Sequence, residues 1–174
     1  DTPVARYQVD IDQGPEGARS QRHLYCQSLV VATGALSIPT LGGSGLGYDI
    51  AAQFSVPLTA RRAGLVPFMF SDAMKSICER LSGVAAEVAV SCNGQSFTEN
   101  MLFTHRGISG PVILQISNYW YSGDTVSVNL LPDLESSQWL LEHKRCQGNS
   151  VLRTLLQQKL PKALVAELQT LWWP

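Results

Sequence analysis

Alternation of apolar and polar positions marks a mostly β middle third, and helical spacing takes over from about Ser136. Tyr7, Val9 and Ile11 alternate with Gln8, Asp10 and Asp12, and the turn-rich string Gln13-Gly14-Pro15-Glu16-Gly17 leads to a return segment ending near Tyr25. That pattern predicts a hairpin with one wet face. The continuous apolar string Leu29-Val30-Val31-Ala32-Thr33-Gly34 predicts a strand covered on both faces, as in a parallel sheet. A stretch rich in Gly, Ser and Pro follows over 35–47, and Tyr48, Ile50 and Ala51 predict a helix from about Gly45 to Phe54. Leu65-Val66-Pro67-Phe68-Met69-Phe70 reads as a strand, after which Ser71 is placed to cap a helix that turns Met74, Ile77, Cys78 and Leu81 to the core and stops at Gly83.

Val88, Val90 and Cys92 alternate with Ala89 and Ser91 up to Asn93-Gly94, the pair favoured in a type I′ hairpin turn, with a return strand from Gln95 to about Thr98. A helix is expected to begin near Pro111, and Val126, Val128 and Leu130 mark a further strand. From Ser136 onward the spacing becomes helical: Trp139 and Leu140 come first, then a polar stretch over 144–149. Leu152, Leu155, Leu156 and Leu160 form one apolar face, and Pro161 restarts a helix bearing Leu164, Val165, Leu168 and Leu171. Trp172 and Trp173 then need a covering surface.

Composition narrows the function classes. Apolar residues make up 45% and charged residues 16% of 174, with a formal net charge of −1, which fits a globular chain and excludes a strongly basic nucleic-acid surface. Cys26, Cys78, Cys92 and Cys146 are far apart with no C-x-x-C pair. Neither zinc nor any other metal site is expected from them, and a reducing, cytoplasmic setting is. No apolar run is long enough to span a membrane, and Asp1-Thr2-Pro3 lacks the basic start of a signal peptide.

The chemistry-bearing string is Thr104-His105-Arg106-Gly107-Ile108-Ser109-Gly110, directly before Pro111-Val112-Ile113. Ser109 or Gly110 can serve as N-cap with Pro111 at the first helical position, leaving free N–H groups that favour an anion. The plainer reading is a turn and a cap, with His105 and Arg106 facing water. Ala32, Thr33 and Gly34 end the apolar string at the place where open α/β sheets bind ligands. Gly42-Gly43-Ser44-Gly45-Leu46-Gly47 is glycine-rich, but Ile38-Pro39-Thr40-Leu41 before it is no strand, so it is not a dinucleotide fingerprint.

The ordered series Leu29-Val30-Val31-Ala32-Thr33-Gly34, Gly43-Ser44-Gly45-Leu46-Gly47-Tyr48, Leu65-Val66-Pro67-Phe68, Leu81-Ser82-Gly83-Val84 and residues 102–111 resembles the BaiN-like (YhiN-type) NAD(P)/FAD-dependent oxidoreductases. The resemblance implies an α+β chain: the tail of a dinucleotide-binding α/β domain over 1–56, then an inserted domain with a β-barrel-like part over 57–134 and a helical part over 135–174. It places Ala32, Thr33 and Gly34 at a flavin-side turn, and Thr104, Gly107, Ser109 and Gly110 in a loop facing the substrate cleft.

His105 is then a candidate proton or hydrogen-bond donor and Arg106 a holder of a carbonyl or phosphate oxygen; the alternative is a satisfied structural histidine and an interdomain ion-pair partner. FAD is expected in the full-length protein rather than on this piece, with NAD(P)H as reductant and the remaining FAD-binding segments as partners. The expected reaction is reduction of an activated C=C bond in a small enone. Reduction of a uridine in RNA to dihydrouridine is the alternative, and so is a non-catalytic recognition module.

Overall fold

The computed structural model describes residues 5–15, 17–133, 136–147 and 152–173. It separates into two compact units, Asp1–Arg61 and Arg62–Pro174.

The first unit holds the expected hairpin, β1 (Tyr7–Gln13) antiparallel to β2 (Ser20–Cys26), with Tyr7 opposite Cys26. Helix α1 (Leu46–Gln53) follows a single 3₁₀ turn at Pro39–Leu41. Residues 29–34 are not a strand. Val30 is 84% exposed, and no described residue of this unit is buried. A parallel-sheet strand is stabilised by neighbours on both edges and helices on both faces, and among the described residues the 29–34 string has no strand on either edge and only α1 beside Val31 and Thr33. The expected strand is therefore corrected to irregular coil.

The second unit is an α+β body built on a five-stranded antiparallel sheet in the order β3-β6-β5-β4-β7. Its strands are β3 (Phe68–Met69), β4 (Ala85–Cys92), β5 (Gln95–Thr104), β6 (Gly107–Ser109) and β7 (Ser127–Asn129). Asn93 and Gly94 both adopt positive φ between β4 and β5, as the hairpin signal requires. β5 runs past the polar Thr98, Glu99 and Asn100, because β4 supplies Ala89, Val88 and Glu87 as ladder partners opposite them. β3 is shorter than the 65–70 apolar string suggests; Leu65 and Val66 give their N–H groups to the Asn118 Oδ1 and Ser117 Oγ instead.

Ala86, Val88, Val90 and Cys92 share the inner face of β4 and are all buried. Against this face lies α3 (Pro111–Ile116), which buries Val112, Ile113 and Ile116. Helix α2 (Asp72–Arg80) buries Ile77 and Cys78, with Leu81 just beyond it, whereas Met74 stays 48% exposed, against expectation. Helices α4 (Ser136–Gln147), α5 (Leu152–Leu156) and α6 (Lys162–Trp172) complete the chain. Leu155, Leu156, Leu160, Leu164, Val165 and Leu168 are buried as their spacing predicts; Leu171 and Trp172 are exposed. Cys26, Cys78 and Cys92 are free, and Cys146 lies outside the described side chains. No described helix is long and apolar enough to cross a membrane.

Candidate functional site

Thr104 pairs with Gly107, which leaves His105 and Arg106 as the two-residue tip of the β5–β6 hairpin. The tip is held from within: the Thr104 hydroxyl donates to the Gly107 carbonyl at 3.1 Å and accepts the Arg106 N–H at 3.3 Å. It is also held from outside, because the Phe70 N–H donates to the Arg106 carbonyl at 2.9 Å. Both side chains at the tip are exposed, and neither forms a hydrogen bond or ion pair among the described residues. The structural-histidine and ion-pair readings thus find no described partner, while the backbone beneath both side chains is fixed.

The two glycines are dictated by packing. Gly107 has φ +154, and a Cβ there would overlap the Phe68 carbonyl oxygen of the paired strand β3. Gly110 has φ +93, and a Cβ would stand 2.6 Å from the Asn100 carbonyl oxygen and 2.9 Å from the Leu102 nitrogen. Gly110, not Ser109, is the N-cap of α3, with Pro111 in its first turn and no side-chain cap. Ser109 instead belongs to β6, opposite Leu102. Helix α3 is only six residues long and starts on Pro111, which has no N–H, so its start offers little to favour an anion.

The other sequence-predicted group lies in the first unit. Ala32 and Gly34 are exposed, and Thr33 is half-buried, with its Oγ1 2.9 Å from where a Cβ on Gly47 would stand. That places Thr33 beside the first turn of α1. Among the described residues it has none of the sheet neighbours beside which open α/β sheets form a nucleotide crevice.

One feature of the second unit has no signal in the sequence. A cavity of about 1150 Å³ opens beside the hairpin, lined by Phe68, Met101, Phe103, Ile108, Trp120 and Val128 among others. The segment that borders it after α3 is fixed by Asp124, whose carboxylate accepts from the Tyr121 N–H at 2.8 Å and the Asn93 amide at 2.6 Å, while its carbonyl accepts from the Trp120 indole at 2.9 Å. Arg62 joins the same segment: its guanidinium donates to the Asn118 and Trp120 carbonyls and lies 4.3 Å from the centre of the Tyr121 ring. No spacing rule links positions 62, 93 and 124. Burial raises the pKa of the Cys78 and Cys92 thiols, with Asp124 adding to the effect at Cys92, which disfavours the reactive thiolate. No group of three or more His, Cys, Asp or Glu able to hold a metal occurs among the described residues.

Comparison with known proteins gives these features a family. A ribosomal RNA dihydrouridine synthase of Escherichia coli is 48% identical over 147 residues, covering 84% of this chain and 37% of that protein. A protein of the same name from Haemophilus influenzae is 44% identical over 141 residues, covering 80% of this chain and 35% of its own length. The chain thus spans little more than a third of these curated relatives. Residues 62–171, well over half of the chain and nearly all of its second unit, match the HI0933-like protein barrel and H2TH domain, and the chain belongs to that family.

Proposed function

We propose that this chain is the substrate-side portion of a flavin-dependent reductase that converts uridine in ribosomal RNA to dihydrouridine. The observation that carries the proposal is the β5–β6 tip, where a fixed backbone presents His105 and Arg106 with no described partner for either side chain. The names of the two bacterial relatives favour a uridine over a small enone as the molecule reduced. In this reading residues 1–56 are a segment of the FAD-binding domain, 57–134 the barrel-like part of an insert and 135–174 its helical part. FAD is then held jointly by the turn at Ala32, Thr33 and Gly34 and by FAD-binding segments outside this chain, with NAD(P)H as reductant, because residues 32–34 alone form no crevice.

The chemistry fits those two side chains. The 5,6 double bond of uridine is conjugated to the C4 carbonyl, so hydride addition at C6 moves negative charge to O4, and a proton is then taken up at C5. A guanidinium donating to O4 stabilises the enolate, which is the work assigned to Arg106. Its own backbone N–H is already engaged by Thr104, so the side chain is the donor this turn offers. His105, adjacent and exposed, is assigned the delivery or relay of the proton. A formal charge of −1 for the chain assigns most RNA-backbone contacts to the rest of the protein.

Mass spectrometry of ribosomal RNA nucleosides tests this. In the parent organism, deletion of the gene is expected to remove dihydrouridine and the full-length protein to restore it. Arg106→Ala is expected to lower the rate of restoration on the order of 10²-fold, the usual cost of losing one oxyanion donor. Dihydrouridine undiminished by the deletion would overturn the proposal.

A further inference from the structure

Three features of the second unit coincide on one side of its sheet. β3 pairs only with β6 and β7 only with β4 among the described strands, so each has an outer edge without a strand partner. Between the elements that border those edges lies the apolar cavity of about 1150 Å³. The same elements turn apolar side chains to water: Met69 of β3 is 70% exposed, Val128 of β7 is 38% exposed and Trp172 of α6 is 68% exposed, and all three line the cavity.

A void of that size is not a packing defect. Interiors pack at crystal-like density, and an engineered hole of about 150 Å³ is already large. The family is described as a barrel, and a barrel is a sheet without free edges, whereas the described strands make an open one. Relatives carry well over half of their length outside the region matched here, since the chain covers 37% and 35% of them.

We infer that a β-strand from the part of the full-length protein outside residues 1–174 bridges β3 and β7, pairing with their outer edges and seating alternate apolar side chains in the cavity. A strand fits better than other occupants. A helix or an apolar small molecule would fill the volume but leave the N–H and C=O groups of both edges unpaired, and a second copy related by a two-fold axis would pair like edge with like, leaving the other open. The bridging strand satisfies both edges and covers Met69, Val128 and Trp172 at once. The inference stands apart from the reaction proposed above, because it concerns closure of the body that carries the hairpin.

Thiol labelling of the full-length native protein tests it. Cysteine is introduced singly as Met69→Cys and Val128→Cys, with Glu99→Cys on the exposed β5 surface as reference, and maleimide rates are corrected for the parent protein. Both cavity positions are expected to react at least about 10-fold more slowly than the reference, as for sites that open only transiently. Equal rates overturn the inference, as does protection that disappears on dilution of a dimer or on extraction of a bound small molecule. Should a variant fail to fold, hydrogen exchange in the unsubstituted full-length protein decides. Slow exchange at the outward N–H groups of residues 68–69 and 127–129 supports the bridging strand; rapid exchange there overturns it.

Discussion

Gly107 and Gly110 show how a residue type can be fixed by what stands across from it. At Gly107 both the backbone angle and the Phe68 carbonyl oxygen oppose a side chain, whereas Gly123, with φ +99, has nothing within 4 Å of the Cβ position. Gly123→Ala therefore pays only the left-handed backbone term of about 1 kcal/mol, while Gly107→Ala must also part β3 from β6 and is expected to lose about 2 to 4 kcal/mol. Urea unfolding of the two variants measures the difference; equal losses would show that the Phe68 contact relaxes freely. Arg106 sits one position away and obeys the opposite logic. Its side chain touches no described partner, so Arg106→Ala is expected to leave the urea midpoint unchanged, within about 0.5 kcal/mol, even as it slows dihydrouridine formation. A large loss of stability would instead mean that the residue holds the fold and that its role in the reaction is indirect.

Among the elements, helices α2 and α6 are joined by a two-pronged ion pair in which Arg80 Nε and an Arg80 amino group each reach a Glu167 carboxylate oxygen at 2.8 Å. The hydrogen bonds from Arg80 hold the Glu167 carboxyl below its usual pKa. A carboxylate whose pKa falls on folding adds stability above its unfolded pKa, and that stability is lost as pH falls through the folded value. Stability is thus expected to decline below about pH 4.5 more steeply in the parent than in Glu167→Gln, as read from urea midpoints over a pH series; parallel curves would show the pair to be screened. This contact was invisible in the sequence, since 87 positions separate its partners. Local signals fared better. Asn93-Gly94 fixed a hairpin because its two positive φ angles need no distant help, and the α5–α6 leucines announced a buried face because helical spacing is itself local. The candidate hairpin was legible as a string, but which of Ser109 and Gly110 caps α3 was not, because the pairing of Ser109 with Leu102 depends on the sheet. Met74 and Leu171 carry the right spacing yet face water, both beside the cavity.

At the scale of the molecule the two units contrast in what they bury. The second has a continuous core running from Ile77 through Val88, Ile113 and Val165 to Leu168, whereas no described residue of the first is buried. Val30 is 84% exposed and Leu29 and Val31 are 40% and 43% exposed, and fully covering a side chain such as Val30 would contribute up to about 1.5 to 3 kcal/mol. That gain requires strands on both edges and helices on both faces, which matches the proposed place of residues 1–56 in a larger dinucleotide-binding domain. Hydrogen exchange compares the two contexts directly. In the chain of 174 residues the amides of 29–34 are expected to exchange at nearly the unprotected rate while those of β4 and β5 are slow; in the full-length protein the 29–34 amides are expected to join the slowest class, because a central parallel strand opens only with its whole domain. The same comparison bears on the flavin, since the proposed crevice at Thr33 and Gly34 requires that strand. The short chain is therefore expected to leave the fluorescence of added FAD unquenched, and the full-length protein to retain FAD through gel filtration. Amides of 29–34 that stay unprotected in the full-length protein would remove this segment from the sheet and, with it, Thr33 and Gly34 from the flavin site.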